Sequence, residues 1–178
     1  AYTTSGDTYG NTFDVTLDCG YTLGKPVGNY DITASVKDNA NFDITVEPGK
    51  LSVSAATLTV SVADQNVTYG ENFVPTLDIV TAKGLAAGDT IDTILTISTN
   101  YTQGDNHDDY EIVCTLKSTN YTLASDAKAT LHVAKRNVTV TIDNASVVYG
   151  EIFDLANCTH KVTSGSLYGE DAITLAYN

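Results

Sequence analysis

The sequence predicts an all-β protein built as a tandem array of small β-domains, with antiparallel or mixed sheets and little or no helix. Three observations predict it. Thr is the most conspicuous residue, with 27 copies in 178 positions, and Val, Ser, Asp and Asn outweigh the common helix formers. Thr and Val lose rotamer freedom in helices and fit pleated surfaces. Apolar residues alternate with polar ones over short runs punctuated by glycine. The third observation is that the chain resembles itself at a shift of about 80 residues.

The shift places residues 51–73 on residues 131–153. Tyr69-Gly70-Glu71 falls on Tyr149-Gly150-Glu151, and Phe73 falls on Phe153. Tyr21, Gly24, Tyr30, Ile32 and Lys37 fall on Tyr101, Gly104, Tyr110, Ile112 and Lys117. A small gap then aligns Asn41-Phe42 with Asn120-Tyr121. A glycine motif occurs three times: Gly6-x-x-Tyr9-Gly10, Gly84-x-x-Ala87-Gly88 and Gly165-x-x-Tyr168-Gly169. Each copy precedes a strand pattern, at Val15–Leu17, Leu95–Ile97 and Ile173–Leu175.

The joints between repeats are read from a change of face. Leu51, Val53 and Ala55 occupy odd positions, whereas Leu58, Val60 and Val62 occupy even ones. A one-residue slip in a period-2 pattern turns the apolar set to the other face. Leu131 and Val133, followed by Val138, Val140 and Ile142, repeat the slip. The expected organisation is the C-terminal part of a first repeat at 1–56, a complete second repeat at 57–135 and the N-terminal part of a third at 136–178.

Within the second repeat, Thr57–Ala63 alternates as a strand and Asn66–Tyr69 leads into a turn at Gly70. Leu77–Val80 reads as a short strand, Gly84–Asp89 as a turn and Ile91–Ser98 as a strand. The segment Thr81–Ala87 is the one candidate for a turn of helix. Gln103–Asp109 is a polar loop. Tyr110–Leu116 carries Tyr110, Ile112, Cys114 and Leu116 on one face, as Tyr30, Ile32, Ala34 and Val36 do in the first repeat. Tyr121–Leu123 and Ala129–Val133 close the domain.

This order of motifs resembles the YG-type MBG repeat, found in tandem in large bacterial surface and adhesin-like proteins. The matching residues are Tyr69-Gly70 and Tyr149-Gly150; Gly84, Gly88 and Asp89; Gly28-Asn29-Tyr30-Asp31-Ile32; Asn41-Phe42 and Asn120-Tyr121; and Ala134-Lys135. The second repeat departs from the pattern with Asp108-Asp109-Tyr110, and the third has Leu155 where Pro75 stands in the second. The resemblance implies an extracellular or cell-surface, non-catalytic spacer or adhesive module without a cofactor.

The chemistry of the residues agrees with a structural role. Nine Lys and Arg against 22 Asp and Glu give a net charge of −13, which excludes nucleic-acid binding through a basic face. No apolar run is long enough for a membrane-spanning helix. His107, His132 and His160 occupy no equivalent repeat positions, and the one nucleophile–base candidate, Cys158 with His160 two positions on, has no third orienting group. The loop carboxylates Asp105, Asp108 and Asp109 are the best Ca²⁺ candidates, because Ca²⁺ takes several hard oxygens from one loop. Their counterpart, Lys25–Asn29, has no carboxylate, so a site in every repeat is excluded. Of the three cysteines, Cys114 reads as a buried thiol, while Cys19 and Cys158 are candidates for an inter-domain or inter-chain disulfide.

The expected partners are neighbouring repeats, other copies of the chain, or a glycan or host protein engaged by exposed Tyr and the loop tips Gln103–Asp109 and Gly6–Gly10. The phase of the repeat leaves two expectations open: the half-repeats belong to a longer chain, or the half-repeat at the tail of one chain completes the half-repeat at the head of the next by strand addition.

Overall fold

The computed structural model describes Gly6 and residues 8–176. Asp7, within the loop tip Gly6–Gly10, lies outside the described residues. The protein is mostly β, and its residues group into two compact units. One comprises residues 1–57 together with 118–122, and the other comprises 58–117 and 123–178.

The first unit holds an antiparallel sheet of β1 (Val15–Cys19), β2 (Gly28–Val36) and β3 (Gly49–Val53), in that order. In β2 the inward residues are Tyr30, Ile32, Ala34 and Val36, as the alternation predicts. Tyr30 packs edge-on against Tyr21 at 5.2 Å, and its hydroxyl donates to the Pro26 carbonyl. Asn120 belongs to this unit because its carbonyl accepts from the Ala56 N–H and its Oδ1 accepts from the Val27 N–H.

The second unit contains most of the second repeat, residues 58–117 and 123–135. A four-stranded mixed sheet has the order β5 (Gln65–Thr68), β10 (Ala127–Ala134), β8 (Asp109–Leu116), β7 (Leu95–Thr99). The β10–β8 and β8–β7 pairs are antiparallel, whereas β5 runs parallel to β10 with Leu131 beside Gln65 and Val133 beside Val67. A second sheet pairs β4 (Ala56–Val62) with β6 (Val80–Lys83), and β9 (Tyr121–Leu123) follows on the other edge of β4. The Ala124 N–H donates to the Leu58 carbonyl along that edge. The core gathers Tyr101, Ile112, Leu131 and Val133, with Val67, Tyr69, Phe73 and Ile97 packed against them. Val and Ile at alternate positions put their branched side chains on one face, which is what closes a small core of this kind.

The period of 80 is visible in atomic detail. Tyr101 and Tyr110 repeat the edge-on pair of Tyr21 and Tyr30 at the same 5.2 Å, and the Tyr110 hydroxyl donates to the Asn106 carbonyl as Tyr30 does to Pro26. The bond from the Lys37 N–H to the Asp14 carbonyl recurs from Lys117 to Ile94. The order β1-β2-β3 is therefore that of β7-β8-β10. In the third repeat, β11 (Thr139–Ile142) and β12 (His160–Ser164) form the antiparallel pair that β4 and β6 form in the second.

Four local expectations are corrected. Leu77–Ile79 is a 3₁₀ turn that leads into β6, and not a strand. Asp78 there takes a hydrogen bond from the Thr76 hydroxyl, a local contact that competes with extended pairing. The turn recurs at Leu155–Asn157, where the Asp154 carboxylate accepts from the Ala156 N–H. Thr81–Ala87 forms no helix, since its first residues belong to β6. The helical turn falls instead at α1 (Ile91–Ile94), inside the segment read as one long strand. Ile91, Ile94 and Leu95 have helical as well as β spacing, and the Thr93 hydroxyl accepts from the Thr90 N–H to start the turn. Ile173–Leu175 is not a strand, because no described strand lies beside it as β8 lies beside β7.

Candidate functional site

The most elaborate local construction is the joint between the second and third repeats, and all of it lies within the second unit. β10 ends at Ala134 and β11 begins at Thr139, so four residues, Lys135–Val138, connect them. The Ala134 carbonyl accepts from the Tyr69 N–H at 2.8 Å, which brings the Tyr69-Gly70 turn to the start of the joint. Arg136 then ties both sides together. Its Nε donates to the Tyr69 carbonyl at 2.9 Å, and one Nη donates to the Ser166 hydroxyl at 3.1 Å.

Tyr168, in the third glycine motif, is seated on the turn of the second repeat. Its ring meets that of Tyr69 edge-on at 5.6 Å and 76°, a favoured aromatic geometry. A Cβ placed on Gly70 would lie 2.5 Å from the Tyr168 ring, and one on Gly104 would lie 3.0 Å from it. Gly70 has φ +83°, so it serves the turn and the seat together. Gly165 begins the motif that delivers Tyr168, and a Cβ there would lie 2.2 Å from the Asn137 carbonyl oxygen in the joint itself. The platform beneath is braced from within. Gln103 donates to the Gly70 carbonyl at 2.9 Å, the Tyr101 hydroxyl donates to the Glu71 carbonyl at 2.6 Å, and the Glu71 carboxylate accepts from the Thr68 N–H at 2.7 Å.

Beside the seat lies an open cleft of about 350 Å³, lined by Tyr69, Tyr168, Arg136, Lys135, His107 and Asp171 among others. The Asp171 carboxylate, accepting from the Tyr69 hydroxyl, raises the pKa of that phenol, and burial adds to the effect.

The repeat-motif residues thus divide into two groups. Tyr69, Gly70 and Gly104 meet Tyr168, and Gly165 abuts the joint. Gly6, Gly10, Gly84, Gly88, Gly150 and Gly169 all have positive φ and serve turns. Tyr149 stands fully exposed. The sequence reading assigned these positions to turns and packing and did not foresee the seat. The signal available was the change from Ala87 in the second glycine motif to Tyr168 in the third.

The acidic loop is divided among separate local bonds. Asp105 accepts from the Thr102 N–H, Asp108 from the Asp109 N–H, and Asp109 pairs with His132 at 2.6 Å. Among the described residues no group of three or more His, Cys, Asp or Glu side chains is placed to hold a metal ion. Cys19, Cys114 and Cys158 are free thiols within the chain. Cys114 is buried, which raises its pKa, whereas Cys19 and Cys158 are half-buried.

Small β-repeats in tandem are the class that this architecture defines. Residues 58–132 match the family model of the MBG domain (YGX type), which agrees with an MBG-type repeat there. No curated protein and no solved structure matches the chain. MBG domains are typical of surface proteins. Among the described residues no helix is long and apolar enough to cross a membrane.

Proposed function

We propose that this chain is a stalk segment of an extracellular surface protein or fibre, a non-catalytic spacer whose stiffness comes from docked joints between repeats. The observation that carries this reading is the seat of Tyr168 on Gly70 and Gly104. Four connecting residues alone would leave two small domains free to rotate. An aromatic ring held between two glycines, with Arg136 bonded to both sides, removes that freedom. The net charge of −13 keeps such segments soluble and apart.

The joint contains its own probe, the trypsin site Lys135-Arg136. A docked joint protects that site, and Tyr168→Ala exposes it. The cut should come about tenfold faster in the variant, the factor that about 1.4 kcal/mol of local stability gives. Cleavage of the wild-type chain as fast as the variant would overturn the reading.

The cleft favours a second reading, an adhesive module. Tyr69, Tyr168, Lys135 and Arg136 combine aromatic and cationic groups in the way that a carboxylated glycan would require. In that case Lys135→Ala would abolish retention on immobilised acidic glycans, while protection of the Arg136 cut remained. Most Tyr side chains are already committed to packing, however, including Tyr101 and Tyr121 in the core. That commitment supports the spacer reading over the adhesive one.

A further inference from the structure

The cleft beside the Tyr168 seat has walls from two repeats. Tyr69 and His107 come from the second repeat, Tyr168 and Asp171 from the third, and Lys135 and Arg136 from the joint between them. All six residues lie within the second unit. The volume of about 350 Å³ stands at the small end of ligand pockets, which span about 300–1,000 Å³. The strands that follow a glycine motif do not cover this surface. In the second repeat, where β7, β8 and β10 follow the motif, residues 86–90 are exposed, and they are the counterparts of 167–171.

The charge of the cleft departs from that of the chain. Lys50, Lys128 and Lys161 are each paired with a carboxylate. Among the described residues Lys135 and Arg136 have no carboxylate at ion-pair distance. Arg136 donates to the Tyr69 carbonyl and the Ser166 hydroxyl, so its charge is held in place but not neutralised. Beside these cations stand two phenol rings, whose negative faces attract C–H groups. Asp171 accepts from the Tyr69 hydroxyl and has a second oxygen to accept from another. His107 adds a ring nitrogen. A carboxylate, a face of C–H groups and several hydroxyls on one small molecule describe a hexuronic acid.

We infer that the cleft binds a hexuronic acid unit of an acidic saccharide, and that binding locks the joint. The carboxylate meets Lys135 and Arg136, a face of the sugar lies on Tyr168, and hydroxyls bond to Asp171 and His107. A ligand that touches both walls binds the docked joint better than an open one, so it favours docking by the same factor. The stalk therefore stiffens where such a saccharide is present. The coupling rests on the docked joint and the acidic-glycan cleft of the proposed function, and it adds the class of sugar and its effect on the joint.

Calorimetric titration of the whole chain tests the site, with glucuronate and galacturonate as probes and glucose and acetate as controls. A hexuronate should bind once per chain, about tenfold or more tighter than glucose or acetate, since a hydrogen bond to a charged group carries at least that factor. Lys135→Ala, at an exposed position, should weaken binding about tenfold, and Lys135→Arg should retain it. Gly104 lies outside the cleft lining, yet a Cβ there would stand 3.0 Å from the Tyr168 ring, so Gly104→Ala should weaken binding through the seat. Hydrogen exchange at Thr139–Ile142 should slow about tenfold with hexuronate at about ten times its dissociation constant. No saturable binding of either hexuronate, acetate bound as tightly as hexuronate, or undiminished binding by Lys135→Ala would each overturn the site. Unchanged exchange at saturating hexuronate, or full binding by Gly104→Ala, would overturn the locking. A protected Arg136 cut in the ligand-free chain leaves the stalk reading intact after any of these failures, whereas rapid cutting there removes the docked joint itself.

Discussion

Tyr69 and Tyr149 hold the same position in successive repeats, yet their surroundings are opposite. Tyr69 is packed between the core of its own repeat and the ring of Tyr168, whereas Tyr149 is 104% exposed. Their local sequences are nearly the same, Thr68-Tyr69-Gly70-Glu71 against Val148-Tyr149-Gly150-Glu151. The difference therefore lies in what covers them. In the intact repeat β10 supplies a parallel neighbour to β5, and the third glycine motif supplies a ring. Local sequence specifies the turn, and the neighbouring strand and repeat decide whether it becomes part of a core.

The comparison is broken most strongly by core truncation. Leu131→Ala should destabilise the intact repeat by about 2–5 kcal/mol, since it empties a site that is 0% exposed. Ile142→Ala, in the third repeat and 50% exposed, should cost only about 0.5 kcal/mol. Thermal unfolding of the two variants separates these outcomes, and equal losses would mean that the third repeat has a core of its own.

The next largest contrast is between glycines. Gly70 and Gly150 have nearly equal φ, +83° and +92°, so Ala pays the same left-handed strain at both, about 1–2 kcal/mol. Only at Gly70 does the new methyl group strike a ring, while Gly150 has nothing within 4 Å. Gly70→Ala should cost about 2–5 kcal/mol in all, because overpacking is added to strain. Chemical denaturation of both variants measures the difference.

Arg136→Leu removes two hydrogen bonds that cross the joint, each worth about 0.5–1.5 kcal/mol. Hydrogen exchange should quicken at Thr139–Ile142 and leave β8 unchanged.

The smallest effect is one of pH. The Asp143 carboxyl is held below its usual 3.8 by the hydrogen bond from Lys161 first and from Thr159 second. A lowered pKa stabilises the folded form above the ordinary value, and that support is lost as pH falls through the folded one. The β11–β12 pair should therefore weaken below about pH 3.8, and Asp143→Asn should blunt the acid response in a melting series. The phenol of Tyr69 is raised, so its contribution is complete below 10.0 and lost in alkali.

Much of the fold was legible because period-2 alternation and the repeat at 80 are strong, redundant signals. The face of Tyr110, Ile112, Cys114 and Leu116, the slip between Val53 and Leu58, and the turns at Gly70 and Gly88 all stand where the sequence puts them. The errors fell where two periods coincide. Ile91, Ile94 and Leu95 satisfy a helix as well as a strand, and the Thr90–Thr93 bond decides for the helix. Ile173–Leu175 has a strand pattern without a neighbour, and pattern alone does not reveal a missing neighbour. The joint was least legible. Tyr69 and Tyr168 are 99 positions apart, and only folding shows that a ring in one repeat rests on a glycine in another.

The seating of Tyr168 on Gly70 is tested most directly by a double-mutant cycle between Gly70→Ala and Tyr168→Ala, read by chemical denaturation. Tyr168→Ala should remove the clash and reduce the cost of Gly70→Ala to that of Gly150→Ala, which gives a coupling of about 1–3 kcal/mol. Strictly additive costs would contradict the docked joint and leave the two repeats linked by four residues alone.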